Sequence, residues 1–192
     1  MTAAKVLDYE YTIEDYDALP EGARTELIRG QFYDLASPSR RHQEYVVQLI
    51  QHIKNYIDKN KGNCKAYVAP FDVHIETPTD GKHDKDTVVQ PDISVIYDRD
   101  KLSSRGCEGA PDWIIEIVSP GTASHDYNDK LNLYAKNGVR EYWIVDPAKE
   151  RILVYDFRPE SEDYLSIYSI NDSVKVNIYD DLVIDFSTIS AE

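Results

Sequence analysis

The chain has 192 residues with a formal net charge of −14; 42% of its residues are hydrophobic and 29% charged. That length supports a hydrophobic core without disulfide or metal staples, and the composition excludes a disordered chain or a coiled coil. No apolar run reaches the roughly 18 to 20 residues that a membrane span requires, and the acidic N-terminus lacks the apolar centre of a signal peptide. Two isolated cysteines, Cys64 and Cys107, match no metal or redox spacing and read as reduced thiols of a cytoplasmic protein. A strongly acidic chain is a poor general trap for nucleic acid. The charge is nevertheless polarised. Residues 37–65 carry six basic and two acidic side chains, while residues 141–192 carry four basic and twelve acidic ones.

In chain order, Tyr11 to Leu19 predicts a short acidic helix with Thr12 as cap, stopped by Pro20 and Gly22. Thr25 to Ile28 and Gln31 to Leu35 predict a hairpin turning at Gly30. Ser37-Pro38-Ser39 is a helix start. Apolar residues at helical spacing from His42 to Ile57 predict a long amphipathic helix that ends near Gly62. Strands are expected at Cys64–Val68, Phe71–Glu76, Asp92–Tyr97 and Trp113–Val118, with a polar loop over Thr77–Lys85. The Trp113–Val118 segment is apolar on both faces except at Glu116, which predicts a central strand covered on both sides. Pro120 and Gly121 end it, and Ala123 to Asn137 predicts an amphipathic helix closed by Gly138. Strands Glu141–Val145 and Ile152–Phe157 bracket a turn at Asp146-Pro147. Tyr164 to Ile184 reads as further strands with turns at Asn171-Asp172 and Asp180-Asp181. Helices between early strands and hairpins late in the chain indicate one α/β domain over residues 1–192, with a mixed sheet flanked by helices.

Glu116 is the most informative residue. A carboxylate inside a doubly covered strand costs several kcal/mol unless it is paired, protonated or bound to a metal. Asp92, which opens a strand directly after Pro91, poses the same question. If the two strands are neighbours, the two carboxylates can share one Mg²⁺ or Mn²⁺, hard ions that favour oxygen ligands. Such an ion can polarise a phosphoryl oxygen and activate water. The alternative is that Asp92 caps a turn and Glu116 pairs with a buried Arg or Lys. Lys130 shares a helix face with Asp126 and Tyr134. It can orient water and offset charge in a transition state, or simply form an exposed pair with Asp126. Arg40, Arg41 and His42 begin the long helix, where backbone N–H groups and guanidinium groups favour phosphate; a solvated helix end is the plainer reading.

Taken in order, several segments resemble the Uma2 family of restriction-endonuclease-like proteins. They are Tyr11 to Gly22, Glu26-Leu27-Ile28-Arg29-Gly30, Ser37-Pro38-Ser39-Arg40-Arg41-His42-Gln43, Pro91-Asp92-Ile93-Ser94, Glu116-Ile117-Val118-Ser119-Pro120, Asp129-Lys130-Leu131-Asn132-Leu133-Tyr134 and the run from Gly138 to Pro147. Each motif is weak alone, but their ordered combination across residues 11 to 157 is specific. The family is similar to the PD-(D/E)XK nuclease superfamily. The resemblance implies a restriction-endonuclease-like α/β fold with extra C-terminal β-hairpins and a metal-dependent phosphodiesterase core. Pro91-Asp92 matches the PD element and Glu116 the acidic position. Val118 stands where the parent motif has lysine, and Lys130 matches the place from which relatives supply it. Glu26 and His42 match family positions without an assigned chemical role.

The expectation is therefore an endonuclease that hydrolyses DNA with Mg²⁺ (or Mn²⁺). Asp92 and Glu116 would hold the metal, Lys130 would act on water and charge, and Arg40, Arg41 and His42 would bind substrate. Cutting both strands of a duplex, and the exposed hairpin edges of the acidic later half, lead us to expect a homodimer. Two other readings share the residues: a nuclease-fold binding or assembly module without turnover, and a hydrolase acting on RNA or nucleotides.

Overall fold

A computed structural model describes residues 10–20, 22–75, 87–119 and 125–189. The expectations for Thr77–Lys85, for the end of the strand at Glu76, for the strand break at Pro120-Gly121 and for the helix start at Ala123 lie outside the described residues.

The opening elements follow local rules. Helix α1 (Ile13–Asp17) starts with a reciprocal cap: Thr12 Oγ accepts from the Asp15 N–H at 3.3 Å, and Asp15 Oδ2 accepts from the Thr12 N–H at 2.9 Å. Strands β1 (Thr25–Ile28) and β2 (Gln31–Asp34) form the expected hairpin. Its two-residue turn places Arg29 at φ 51° and Gly30 at φ 77°, the left-handed pair that matches strand twist. Helix α2 runs from Arg40 to Lys59, two residues longer at each end than the apolar spacing shows. Ser39 Oγ accepts the His42 N–H at 3.2 Å as N-cap, and Tyr45, Val46, Leu49, Ile53 and Ile57 form its buried stripe.

Strands β3 (Lys65–Val68), β6 (Ile93–Ile96), β8 (Trp113–Ile117), β9 (Glu141–Asp146), β10 (Arg151–Asp156) and β11 (Leu165–Ser169) build the main sheet, in the order β11-β10-β9-β8-β6-β3. Only β8–β9 is parallel, so the sheet is mixed. β8 is central and wholly buried. One face, with Trp113, Ile115, Ile117, Trp143 and Val145, packs on α2 and on the C-terminal residues Phe186 and Ile189. The other face, with Ile114, Tyr142, Ile144 and Leu153, packs on Val73, Val89, Leu133 and Tyr134.

Three differences from the sequence reading have physical causes. The expected Phe71–Glu76 strand contracts to β4 (Val73–His74), which joins a second sheet with β5 (Val88–Val89) and β7 (Cys107–Glu108), in the order β2-β1-β5-β4-β7. Two-residue strands are too short to show periodicity. The helix expected to end at Asn137 does so, but the described part opens with a π-helical turn, His125–Lys130, before α3 (Leu131–Lys136). The turn at Asn171-Asp172 joins no paired strands. β11 pairs with β10, whereas β12 (Ser173–Lys175) pairs with β13 (Val183–Asp185) in a separate ribbon that turns at Asp180-Asp181. Among the described residues, no helix is long and apolar enough to cross a membrane.

Candidate active site

The register sets the site. β6 runs antiparallel to β8 with Ile93 opposite Ile115, so the next pair outward is Asp92 opposite Glu116. The two are in contact: the Asp92 N–H donates to Glu116 Oε2 at 3.3 Å, and Asp92 Oδ2 accepts the Ile117 N–H at 2.8 Å. The start of α2 adds His42, whose Nε2 lies 3.0 Å from the same Asp92 oxygen. Asp92 Oδ1 has no partner among the described residues.

Glu116 is only 4% exposed. Its Oε1 accepts from Lys130 Nζ at 2.9 Å and from the Tyr134 hydroxyl at 3.2 Å. Lys130, 3% exposed, also reaches Glu26 Oε1 at 2.9 Å and lies 3.7 Å from Asp126 Oδ1. The pairing of Asp126 with Lys130 is therefore not an exposed helix pair, because both side chains are buried and the ammonium bridges three elements. The π-turn that carries Lys130 is anchored by the Tyr142 hydroxyl, which donates to the Asp126 carbonyl at 3.0 Å. Such turns, with their displaced backbone bonding, concentrate at functional positions.

Burial drives this electrostatics. Loss of solvation raises the Glu116 carboxyl well above the usual range; Lys130 opposes the shift, and Asp126, Asp92 and Glu26 add to it. Burial alone would lower the Lys130 ammonium, but Glu116, Glu26 and Asp126 together hold it well above an ordinary lysine. Tyr134 is raised by burial and by the same carboxylates, so it stays a phenol that donates to Glu116. Three carboxylates, Glu116, Glu26 and Asp126, thus gather around one buried ammonium, and Asp92 lies beside Glu116 with His42 as its ionisable partner. Both sequence readings of Glu116 meet here: it pairs with a buried lysine, and it lies beside Asp92.

A cleft of about 430 Å³ opens over this cluster. Arg41, His42, Gln90, Asp92, Glu116 and Lys130 line it, along with Ser37 and Ser39 at the start of α2. Arg40 does not line it. Its guanidinium pairs with Glu44 at 2.7 Å on the outer side of α2, with 70% of its side chain exposed. Sequence reasoning missed what Glu26, Tyr134 and Gln90 do. Glu26 belongs to the first hairpin, and only the pairing of β1 with β5 brings it to Lys130. The Gln90 N–H donates to Glu26 Oε1 at 2.8 Å. The traces of these roles in the sequence are Glu26 in the short strand Thr25–Ile28 and the helix face that Tyr134 shares with Lys130.

Among the described residues, no three His, Cys, Asp or Glu side chains converge as a closed metal cage. Asp92 and Glu116 still suit Mg²⁺ or Mn²⁺, because such ions are held by one or two carboxylates and keep several waters. The surplus of buried negative charge is what a divalent cation would relieve.

The fold is that of a restriction-endonuclease-like α/β protein. A solved structure from Anabaena variabilis, described as "a putative nuclease belonging to DUF820", superposes with TM-score 0.72 at 21% identity, covering 93% of this chain and 96% of that one. The Uma2 family model, described as "Putative restriction endonuclease", matches residues 13–185, and the chain belongs to that family. An uncharacterised protein of Synechocystis is 26% identical over 153 residues, 79% of this chain and 75% of that protein.

Proposed function

We propose that the protein is a metal-dependent endonuclease that hydrolyses phosphodiester bonds of DNA. The observation that carries this reading is the apposition of Asp92 and Glu116 at the floor of a cleft, with buried Lys130 on Glu116. Asp92 and Glu116 would hold Mg²⁺ or Mn²⁺, which when bound supplies Lewis-acid polarisation of the phosphoryl oxygen and a more acidic water. His42 and the Ile117 N–H orient Asp92. Lys130 opposes the rise of the Glu116 carboxyl and sets a positive charge next to the pair, where it offsets negative charge developing on phosphorus and positions the attacking water. Arg41 and the N-terminal turn of α2 face the cleft and receive the phosphate backbone. Arg40, paired on the outer side, contributes to the field rather than to direct contact. In the net reaction the water oxygen forms a bond to phosphorus and the P–O ester bond breaks. That bond's electron pair leaves on the alkoxide oxygen, which gains one proton from the attacking water by way of solvent.

We further propose a homodimer. β11 is an edge strand with exposed Leu165 and Ile167, and covering such an edge is favourable. Light scattering at tens of micromolar should report a dimer, and a monomer would remove this element.

One observation favours the second reading, a binding module without turnover: Val118 stands where lysine is expected, and Lys130 is already engaged by Glu26 and Glu116. Conversion of supercoiled plasmid in Mn²⁺ separates the two. The endonuclease reading expects nicked and linear products from the wild type and none from Asp92→Ala or Glu116→Gln. A wild type that binds DNA and Mn²⁺ without cleaving selects the module.

A further inference from the structure

We infer that Arg24 is a further substrate-binding residue, whose guanidinium grips a backbone phosphate of the nucleic-acid strand where the cleft passes into an adjoining pocket. This rests on the reading of the cleft as a nucleic-acid site given above.

The first hairpin places Arg24. The residue directly precedes β1, and its carbonyl accepts the Leu35 N–H at 2.8 Å across the open end of the hairpin. Leu35 and Ala36 line the cleft with Arg24, and the chain then enters α2 through Ser37 and Ser39, which line it too. The open end of the hairpin is thus one wall of the cleft and the start of α2 another.

Arg24 also lines a second pocket, of about 400 Å³, which Gly22, Gln43 and Pro70 help to enclose. His42 and Asp92 line both hollows, whereas Glu116 and Lys130 line the first and not the second. The two therefore meet at Arg24, His42 and Asp92, and together they form a groove that continues past the Asp92 end of the carboxylate pair. A polynucleotide needs such a passage, because a strand lying over Asp92 has nucleotides on both sides. Both hollows fall within the range of about 300 to 1,000 Å³ usual for ligand pockets.

The guanidinium itself lacks an anion. Arg24 is partly buried, and its Nε is enclosed without a hydrogen-bond partner among the described residues. The two terminal nitrogens are not enclosed, and they too donate to none of the described residues. The carboxylates of the cleft are engaged elsewhere: Glu116 and Asp126 with Lys130, and Asp92 with His42. A guanidinium held partly out of water without an anion loses solvation that nothing restores. Its open fork matches two oxygens of a phosphodiester, which can take two parallel N–H bonds. Arg40 is the contrast, since it stands 70% exposed and already pairs with Glu44.

The test uses the full chain and a short labelled duplex DNA without divalent cation, with binding read by fluorescence anisotropy across a salt series. Arg24→Ala should weaken binding roughly 10-fold and lower the salt slope by about 0.9, the counterion release of one phosphate contact. Arg24→Gln, which keeps most of the side chain's bulk, should lose the same slope. Arg24→Lys keeps the charge and should restore the slope while losing part of the affinity, because an ammonium lacks the fork. A merely structural role would lower the thermal midpoint of the alanine and glutamine variants and leave the slope unmoved. Wild-type affinity and slope in Arg24→Gln, or equal slopes in the lysine and glutamine variants, overturn the proposal. Plasmid conversion by the wild type in Mn²⁺ tests the endonuclease reading separately. Arg24-dependent binding without cleavage supports the Arg24 contact and removes turnover alone. Cleavage with no Arg24 dependence of binding overturns the contact alone. A wild type that binds no DNA overturns both.

Discussion

Glu116 and Glu141 are both carboxylates sealed inside the main sheet, but at opposite ends of neighbouring strands and on opposite faces. Glu141, 0% exposed, lies where neutral donors converge. Its Oε1 accepts the Trp143 indole N–H at 2.6 Å and the Asn177 backbone N–H at 3.0 Å, and its Oε2 accepts the Ile178 N–H at 2.8 Å. Those donors fasten the C-terminal ribbon onto the sheet, so Glu141 serves as a latch. Glu116 receives an ammonium, a phenol and one long backbone bond, and it is ringed by Glu26, Asp126 and Asp92. Burial alone therefore does not mark a functional carboxylate. The difference is whether neighbouring groups complete its hydrogen bonding or add to its charge.

The strongest way to break this contrast is Asp92→Ala. If the Glu116 end is the chemical one, the variant loses Mn²⁺ binding and plasmid cleavage together, while the thermal midpoint falls little because Asp92 is only partly buried. Retained cleavage would move the chemistry elsewhere.

Lys130→Met comes next. It strands Glu26, Glu116 and Asp126 without their ammonium, and removing one partner of a buried ionic cluster costs about 3 to 5 kcal/mol. Urea unfolding at pH 7 should show that loss. Residual turnover, measured below the unfolding midpoint, should be lower on the order of 10²- to 10³-fold. Wild-type stability and rate in this variant would return Lys130 to a bland ion pair.

The Glu141 latch makes a pH prediction. Burial pushes its carboxyl up to about 7 from 4.5, against the Asn177, Trp143 and Ile178 donors that lower it. The folded state then binds more protons than the unfolded state between those two values. Stability from this group is present below pH 4.5 and is lost as pH rises towards 7, amounting to about 3 kcal/mol at roughly 1.4 kcal/mol per pH unit. Urea unfolding at pH 5 and 7.5 should show the decline, and Glu141→Gln should flatten it without touching Mn²⁺ affinity. An unchanged slope would mean that the donors, not burial, control this carboxyl.

The smallest effects separate two adjacent arginines. Arg41→Ala should weaken DNA binding and reduce the salt slope by about 0.9, the value of one phosphate contact. Arg40→Ala removes an exposed pair with Glu44 and should change stability by about 0.5 kcal/mol or less. Equal effects on DNA binding would show that both arginines reach the backbone.

Much of the scaffold was legible in the chain because it rests on local rules. The Thr12–Asp15 cap, the Gly30 hairpin and the buried stripe of α2 follow from side-chain chemistry at fixed spacing. So does the doubly covered strand around Glu116, whose unbroken apolar pattern has one exception. The β4, β5 and β7 strands were not legible, since two residues carry no period and their pairing joins distant segments. The π-turn before α3 was hidden because its composition is that of any amphipathic helix.

The sequence by itself determined which residues had to be explained: a carboxylate in an apolar strand, an aspartate after Pro91, and a lysine on the next helix. Those are statements about solvation cost, which is a property of the residue and its near neighbours. Only the tertiary structure decided the explanation. It set Asp92 opposite Glu116 by strand register, and it brought Glu26 to Lys130 by pairing the first hairpin with β5. It also paired Arg40 with Glu44, away from the cleft. Register and charge balance depend on groups far apart in the chain, and a buried charge is decided by the sum of what surrounds it.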